Sequence, residues 1–188
     1  MGSTIVIIVV AALAGLVVLG VVAFNTLRSL DVKAQEALGG IDVQLTRRAD
    51  LVPNLVNTVK GYAAHEKSVF EEVTAARAGV ARATAEGSID EKARAQGRLD
   101  RAIANVLAVA ENYPDLKASA NFLALQEQLA DTENQLAFAR QYYNDAAASL
   151  NRRVVTIPWV FFTGLAGVTK RPFYQAPEGQ QAPPQVQF

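Results

Sequence analysis

Few residues in this sequence could perform catalysis or bind a metal. His65 is the only histidine and there is no cysteine, so a thiolate zinc site, an iron–sulfur cluster and a thiol nucleophile are excluded. His65-Glu66 begins like the HExxH motif of zinc proteases, but the second histidine would fall at Val69. A di-iron site in a helical bundle would need Glu-x-x-His, and Tyr62 stands three residues before His65. We therefore predict no catalytic residue, no metal site and no cofactor.

Two further groups of charged residues have chemistry that enzymes use. Four carboxylates could be paired as general acid and base: Glu71, Glu72, Asp131 and Glu133. They lie in segments with amphipathic helical spacing, where solvated charge is expected. Arg47-Arg48 could contact phosphates, and a polar helix end beside a cap explains them equally well. The sequence contains no glycine-rich phosphate loop, serine nucleophile elbow or dinucleotide-binding fingerprint.

Composition narrows the class of protein further. The chain has 188 residues, with 18 Lys+Arg balanced by 18 Asp+Glu, so its formal net charge is zero. A nucleic-acid binder would need a clustered excess of basic residues, and we expect no nucleic acid as a partner. The length suits one domain of ordinary size with an appendage. The hydrophobic residues, 51% of the chain, are concentrated near the N-terminus.

A membrane span is the first element that the sequence predicts. Ile5 to Phe24 is an almost unbroken apolar run that includes Gly15 and Gly20, and residues 1–27 carry no charged side chain. Twenty helical residues reach roughly 30 Å, the thickness of a bilayer's hydrocarbon core. The alternative is a signal peptide cleaved after Ala23, but its apolar region would be shorter and would follow basic residues. We expect an uncleaved transmembrane anchor over 1–27.

The basic residues around the span predict its orientation. None precedes it, and four follow it on the C-terminal side: Arg28, Lys33, Arg47 and Arg48. Because basic residues favour the cytoplasmic side, we expect the N-terminus outside and the rest of the chain in the cytoplasm. Ala11 and Gly15 form a small-xxx-small pair that could let two spans pack closely, although such pairs are common by chance.

Proline positions divide the rest of the chain into long helical segments. Only Pro53 and Pro114 precede Pro158, and the stretches between them are rich in good helix formers. Apolar residues recur at spacings of three and four, without the alternation of a strand. The clearest row is Phe122, Leu125, Leu129, Thr132, Leu136, Ala139, Tyr143, Ala146 and Leu150.

The breaks between these segments predict four helices. Asp50 is expected to cap a helix whose first turn contains Pro53, and Ser88 with Glu91 forms a capping box after Gly87. We predict helices at residues 27–48 (continuous with the span), 51–84, 89–112 and 117–155. Short connections favour antiparallel neighbours. The expected fold is therefore all-α, with an N-terminal transmembrane helix followed by an up-and-down antiparallel four-helix bundle over 28–156.

Two segments follow the predicted bundle. Residues 157–174 are rich in aromatic residues, but their apolar part is too short to span a bilayer. If the fourth helix returns toward the membrane, five residues would contact the cytoplasmic leaflet or a neighbouring subunit: Trp159, Phe161, Phe162, Lys170 and Arg171. The alternative is a hydrophobic plug on the open end of the bundle. Residues 175–188 are mostly Gln, Pro and Ala and are expected to form a disordered tail.

Several short blocks resemble the LemA family of bacterial membrane proteins. They read RRxDLxPNL, VKGYxxHE, YPDLKA, NFLxLQ and TEN, and they fall within residues 41–77 and 107–146. The resemblance covers nearly the whole chain, although Ala49 stands where the family usually has a bulky residue and the segment after Pro158 is more divergent. It implies a single-span protein of the bacterial inner membrane with a cytoplasmic helical bundle and no established catalytic activity. A magnetosome-associated member of the family suggests a part in membrane organisation.

Two classes of function remain open. In the first, the chain is a scaffold at the lipid bilayer whose exposed helix faces bind other membrane proteins or further copies of itself. In the second, it is an enzyme or ligand sensor that uses polar residues of the bundle: Asn54, Lys60, Tyr62, His65, Asn121 and Asn144. A concave pocket where these groups converge with shifted pKa values would indicate the second class. Composition and the incomplete motifs favour the scaffold.

Overall fold

The structure is a computed structural model that describes residues 1–175. The tail predicted over 175–188 lies outside the described residues, apart from Gln175. Within the described part every regular element is a helix and no strand is present, which confirms the all-α class. The helices are named α1 to α7 in chain order, with one short 3₁₀ helix between α6 and α7.

The first helix, α1 (Gly2–Asp50), contains the predicted span and continues well beyond it without a break. Its residues up to Leu19 are exposed, and it contains the only stretch in residues 1–175 that is long and apolar enough to cross a membrane. From the end of the span onward, buried residues recur three, four or seven positions apart along one face: Ala23, Leu27, Ala34, Ala37, Ile41 and Leu45. The predicted continuity of the span with the next helix is therefore confirmed.

The chain does not reverse at Pro53, where a new bundle helix was expected to begin. Leu51 keeps a helical backbone (φ −76°, ψ −21°), and α2 (Val52–Lys60) follows at once. The Leu55 N–H still bonds to the Leu51 carbonyl at 3.0 Å. Proline removes one N–H, but its fixed φ is itself helical, so one hydrogen bond is lost while the helical course continues. The expected cap by Asp50 is also wrong, because the N-cap residue is Leu51 and no side chain caps α2.

The reversal lies instead at residues 61–66, inside the helix that the sequence predicted over 51–84. The N–H groups of Tyr62 and Ala63 both bond to the Val59 carbonyl, which closes a tight turn after Gly61. Ala63 is buried, and Glu66 has a non-helical backbone before α3 (Lys67–Glu86) begins. Glycine is unfavourable in helix interiors, but a single glycine without a proline is a weak signal for a turn. The helical spacing of the apolar residues on both sides of Gly61 therefore predicted one continuous helix.

The helices α3 and α4 (Ile89–Ala110) form a hairpin around Gly87 and Ser88. The predicted capping box is present: Ser88 Oγ accepts from the Glu91 N–H at 3.3 Å, and the Ser88 N–H donates to the Glu91 carboxylate at 2.7 Å. Ser88 Oγ also donates to this carboxylate at 2.8 Å, and the bonds from the Ser88 N–H and Oγ hold the pKa of Glu91 below its ordinary value. A Cβ on Gly87 would lie 2.5 Å from the Ala83 carbonyl oxygen, so this close approach requires glycine.

The last long helix, α6 (Ala120–Val155), follows a single helical turn, α5 (Pro114–Lys117). Tyr113 is extended (φ −122°, ψ 89°) because the following proline disfavours the helical region. The predicted apolar row of α6 is buried with the exception of the half-buried Ala139. Its buried members include the polar Thr132.

A compact C-terminal segment follows α6. It consists of a 3₁₀ helix (Trp159–Phe162), the single-turn helix α7 (Thr163–Ala166) and extended chain to Gln175. Gly167 ends α7 at φ +63°, a left-handed conformation that glycine adopts without the strain of a side chain. The Ile157–Pro158 peptide bond is cis.

The described residues divide into two compact units. The first consists of Met1–Ala37 and Tyr142–Phe173. Within it α1 and α6 run in opposite directions, since Leu27 shares a core cluster with Leu150 while Lys33 lies 5.9 Å from the centre of the Tyr142 ring. The second consists of Leu38–Gln141 and the residues from Tyr174 onward.

The ion pairs of the second unit show in which direction each helix runs. Lys92 on α4 bonds to Asp42 on α1 and to the Thr84 carbonyl on α3. Further along α1, Asp50 pairs with Arg77 of α3. Position 42 thus lies beside position 84 and position 50 beside position 77, which makes α1 and α3 antiparallel. Since α3 and α4 form a hairpin, α4 runs parallel to α1.

Candidate functional site

A cluster of buried charge surrounds Arg48 in the second unit. The arginine is 7% exposed, and its Nε donates to Asp100 Oδ1 at 2.9 Å. Its Nη1 donates to the Leu129 carbonyl at 2.7 Å and to the Thr132 hydroxyl at 3.3 Å. Glu133 places a second carboxylate 3.3 Å from Nη2. The guanidinium therefore connects α1 with α4 and α6, and carboxylates compensate its charge where water is largely excluded.

The electrostatics of this cluster are dominated by burial. Burial raises the pKa of the Asp100 carboxyl, while the charge of Arg48 acts in the opposite direction and Glu133 raises the pKa further. Gln96 Nε2 donates to Asp100 Oδ2 at 3.3 Å, and Arg140 lies 3.4 Å from the other oxygen of Glu133. Glu133 Oε2 is buried without a hydrogen-bond partner and faces Arg48 as an ion pair only. Because these groups lie between packed helices, the arrangement suits holding helices together rather than binding a substrate.

Two more buried polar contacts connect elements of the second unit. Lys92, 5% exposed, donates to both carboxylate oxygens of Asp42 at 2.6 Å and to the Thr84 carbonyl at 3.3 Å. The Tyr174 hydroxyl donates to Gln96 Oε1 at 3.1 Å. Burial raises the pKa of Tyr174 far above its ordinary value, so the phenol keeps its proton and remains a donor.

An open groove of about 860 Å³ lies along the α3–α4 hairpin. Its floor consists of small residues: Ala75, Ala76, Gly79, Ala83 and Ala95. Four exposed arginines line it, and none forms an ion pair within residues 1–175: Arg82, Arg94, Arg98 and Arg101. Three acidic residues also line it: Glu86, Glu91, which accepts from Ser88, and Glu72, which accepts from Asn105. The groove therefore combines a floor of small residues that a helix could approach closely with four arginines and three glutamates, a formal net charge of +1.

In the first unit, two of the predicted contact residues pack at the end of the span. Trp159 and Phe162 lie against the cluster that contains Leu27 and Leu150. The Phe162 ring is 3.4 Å from the position that a Cβ of Gly20 would take. Phe162 therefore covers the C-terminal end of the apolar run of α1, and Trp159 packs on the cluster just beyond that end.

The other three predicted contact residues differ from one another in exposure. Phe161 is 74% exposed and Lys170 is exposed as well. Arg171 instead donates from Nε and Nη2 to Asp31 at 2.8 Å. Its backbone N–H and carbonyl bond to the Asn151 amide, both at 2.8 Å. Phe161 and Lys170 thus face the surroundings, whereas Arg171 is held within its own unit.

The family model described as the LemA family matches residues 37–188, which is most of the chain. The chain belongs to the LemA family. The resemblance carried by the RRxDLxPNL and VKGYxxHE blocks is therefore confirmed.

Three curated relatives of this LemA protein are magnetosome proteins by name. Magnetosome protein MamQ 2 and Magnetosome protein MamQ 1 of Paramagnetospirillum magneticum are each 25% identical over 197 residues, which cover 88% of this chain and 72% of the relative. Magnetosome protein MamQ of Magnetospirillum gryphiswaldense is 25% identical over 180 residues, 83% of this chain and 66% of the relative. Together with the N-terminal apolar helix, these relatives identify a membrane-associated helical protein.

The polar residues proposed for an enzyme or sensor are not gathered in the groove of this LemA protein. Five of the six are exposed: Asn54, Lys60, Tyr62, His65 and Asn121. None of the six lines the α3–α4 groove. Within residues 1–175, no group of three or more His, Cys, Asp or Glu residues is placed to hold a metal ion. The groups with shifted pKa values are others: Asp100 in the buried cluster, Glu91 at the helix cap, and the phenols Tyr143 and Tyr174.

The buried cluster of the LemA protein is the feature that the sequence analysis missed. Arg48 was interpreted as a phosphate contact or a polar helix end, although it continues the buried stripe of Ile41 and Leu45 at spacings of four and three. Val52 follows four residues later and is buried too. An arginine within an apolar stripe is the signal that could have revealed a buried guanidinium, because a helix places all four side chains on one face.

Proposed function

We propose that this LemA protein is a single-span scaffold of the bacterial inner membrane, with its N-terminus outside and its helical part in the cytoplasm. The anchor is the apolar run Ile5 to Phe24, whose side chains up to Leu19 are exposed. Arg28 and Lys33 follow the run and no basic residue precedes it, the asymmetry typical of this orientation. In this proposal the protein acts by holding other molecules near the membrane and catalyses no reaction.

The cytoplasmic part is proposed to be an up-and-down antiparallel four-helix bundle. Its members are α1 with α2, then α3, α4 and α6. In the second unit, Lys92 and Arg48 support the alternating directions of α1, α3 and α4. Arg48 also bonds to the Leu129 carbonyl of α6. Such a bundle offers rigid outer faces, which a scaffold needs more than it needs a cavity.

The α3–α4 groove is the observation that carries the scaffold proposal. Small floor residues such as Ala76 and Gly79 let a second backbone approach closely, as interfaces between helices require. The four arginines without ion pairs complement a negatively charged surface. We therefore assign the groove to a helix with acidic residues, supplied by a second copy or by another membrane protein.

The relatives extend this proposal to membrane organisation. The names of the MamQ proteins associate them with magnetosomes. A membrane-anchored bundle that gathers copies or partners in the plane of the bilayer would organise that membrane without any chemical step. The small pair Ala11 and Gly15 in the span adds a second surface for close packing between copies.

Filling the groove tests the proposal. At both Gly79 in the groove and Gly39 on α1, a Cβ would meet no atom within 4 Å, so tryptophan fits either site. Association of the full-length chain in native membranes is measured by single-molecule photobleaching and by crosslinking with identification of the captured chains. We expect Gly79→Trp to lower the share of associated molecules and Gly39→Trp to leave it unchanged. Monomers without crosslinked partners in the wild type, or equal effects of the two variants, would contradict the proposal.

A further inference from the structure

An uncharged stretch of the first unit lies between two pairs of basic residues. Residues 154–169 contain no charged side chain, while Arg152-Arg153 precede them and Lys170-Arg171 follow them. The stretch is too short to cross a bilayer twice or even once. An apolar segment with basic residues at both ends can enter the surface of a membrane and leave on the same side. The reason is that both groups of cations remain near the lipid phosphates.

The packing of this stretch places it at membrane depth. Burial of α1 begins near the end of the apolar run: Gly20 is half-buried and Ala23 completely buried, whereas the helix before Gly20 is exposed. Phe162 lies against Gly20, which belongs to the apolar run Ile5 to Phe24. If Ile5 to Phe24 crosses the hydrocarbon core, a segment packed against Gly20 lies beside the last turns of that core.

The outer face of the same stretch is apolar. Ile157, Phe161 and Leu165 are 74–76% exposed, and they are separated by four residues each. Backbone groups behind them are paired, as a lipid environment requires: the Val160 N–H bonds to the Thr156 carbonyl at 2.9 Å and the Val168 N–H to the Thr163 carbonyl at 3.1 Å. In water these three apolar side chains, called the ridge below, would be left uncovered.

Cations stand where lipid headgroups would lie. The Arg153 guanidinium is 4.4 Å from the centre of the Trp159 ring, and Arg152 and Lys170 are exposed. Tryptophan with an arginine on its face is typical of the interface between hydrocarbon and water. Arg171, which is paired with Asp31, belongs to the protein side of this arrangement.

We propose that residues 157–168 form an interfacial segment immersed in the leaflet at the C-terminal end of the span. Ile157, Phe161 and Leu165 contact acyl chains. Arg152 and Lys170 contact the phosphates of anionic headgroups. Trp159 and Phe162 seal the segment onto α1. The membrane contact of this protein is therefore larger than its single span, and the segment sets how deeply α1 is seated. The proposal rests on Ile5 to Phe24 being the anchor, but not on the scaffold function.

Spin labels on the full-length chain test this placement. The sequence has no cysteine, so single variants can be labelled directly: Phe161→Cys for the ridge, Val18→Cys for the span and Phe138→Cys as the matched control. Phe138 is also a phenylalanine and is 73% exposed. The protein is reconstituted in vesicles of phosphatidylcholine and phosphatidylglycerol, with oxygen as the lipid-soluble relaxation agent and a nickel chelate as the water-soluble one. We expect oxygen to dominate at 161 and 18, and nickel to dominate at 138.

Each other outcome has a defined meaning. Nickel access at 161 with oxygen access at 18 would overturn the interfacial segment and leave the anchor standing, whereas nickel access at both would overturn the anchor as well. A label at 161 shielded from both agents would mean that protein covers the ridge, and spin–spin broadening would identify a second copy. Trp159, the only tryptophan, gives a reading without mutation: we expect brominated lipids to cause a loss of its emission, and full emission would contradict the proposal.

Discussion

A buried charge is stable only while its partners are present, and two adjacent arginines of this protein show the contrast. Arg48 is enclosed, with Asp100 at 2.9 Å and Glu133 at 3.3 Å. Arg47 is more than half exposed and reaches Asp131 at 3.4 Å. Water screens the pair of Arg47 with Asp131 but not the pairs of Arg48. Arginine therefore contributes differently to the free energy of unfolding at these two neighbouring positions.

Replacing each arginine by methionine tests this difference. Arg48→Met leaves Asp100 without its cation between packed helices and leaves Glu133 with Arg140 alone, and we expect the free energy of unfolding to fall by about 3–5 kcal/mol. Arg47→Met removes a surface pair and is expected to cost less than about 1 kcal/mol. Chemical denaturation of the full chain in detergent, followed by circular dichroism, measures both. Equal losses would mean that the cluster around Arg48 is solvated.

Asp100 predicts a pH dependence with a definite sign. Burial raises its pKa in the folded protein above 3.8, the ordinary value of an unburied Asp, so the folded state binds the proton more tightly than the unfolded state does. Its contribution to stability is therefore largest below pH 3.8 and is lost as the pH rises through the raised pKa. The unfolding free energy of the wild type minus that of Asp100→Asn should fall across this window. A difference that grows with pH would contradict the raised pKa.

At the scale of elements, the α3–α4 hairpin depends on its two glycines in opposite ways. Gly79 lies inside α3, where glycine only costs backbone entropy and nothing surrounds a Cβ. Gly87 lies in the turn, where a Cβ would lie 2.5 Å from the Ala83 carbonyl oxygen and 2.8 Å from its Cα. The first position tolerates alanine, and the second requires the chain to shift.

Alanine at these glycines should shift stability in opposite directions. Gly79→Ala should stabilise the protein by about 0.5–1 kcal/mol, because alanine is the better helix former. Gly87→Ala should destabilise it by more than about 1 kcal/mol, because the turn must open to admit the methyl group. Thermal denaturation of both variants in one detergent is sufficient. Stabilisation by Gly87→Ala would show that the turn is looser than described.

The ends of the helices show how far local sequence can be trusted. Ser88 with Glu91 predicted a helix start correctly, because a capping box satisfies two N–H groups by contacts within four residues. Pro53 predicted the start of a new helix that reverses direction, but the chain keeps its direction there. Proline removes a hydrogen bond without redirecting the chain. The true reversal at 61–66 depends on packing of residues such as Ala63, which no local pattern reports.

For the whole molecule, the proposed membrane topology can be tested by labelling one cysteine on each side of the span. Ser3→Cys lies before the span, and Glu127→Cys lies on an exposed position of α6. A maleimide that cannot cross membranes should label the first in intact cells and the second only after lysis. The reverse pattern would overturn the orientation. The mass of the membrane-extracted chain decides separately between an anchor and a signal peptide, since an N-terminus at Phe24 would mean that the span is removed.

What the sequence determined by itself was whatever depends on near neighbours along the chain. A run of twenty apolar residues, the spacing of Leu129 and Leu136, the capping box and the LemA blocks are all local, so the N-terminal apolar helix, the all-α class and the family followed from them. Only the tertiary structure decided which residues meet across long separations. Arg48 with Asp100 and Glu133, Tyr174 with Gln96, and Phe162 with Gly20 join positions about 50 to 140 residues apart. Periodicity specifies the face of a helix on which a side chain lies, but not the partner that this face will meet.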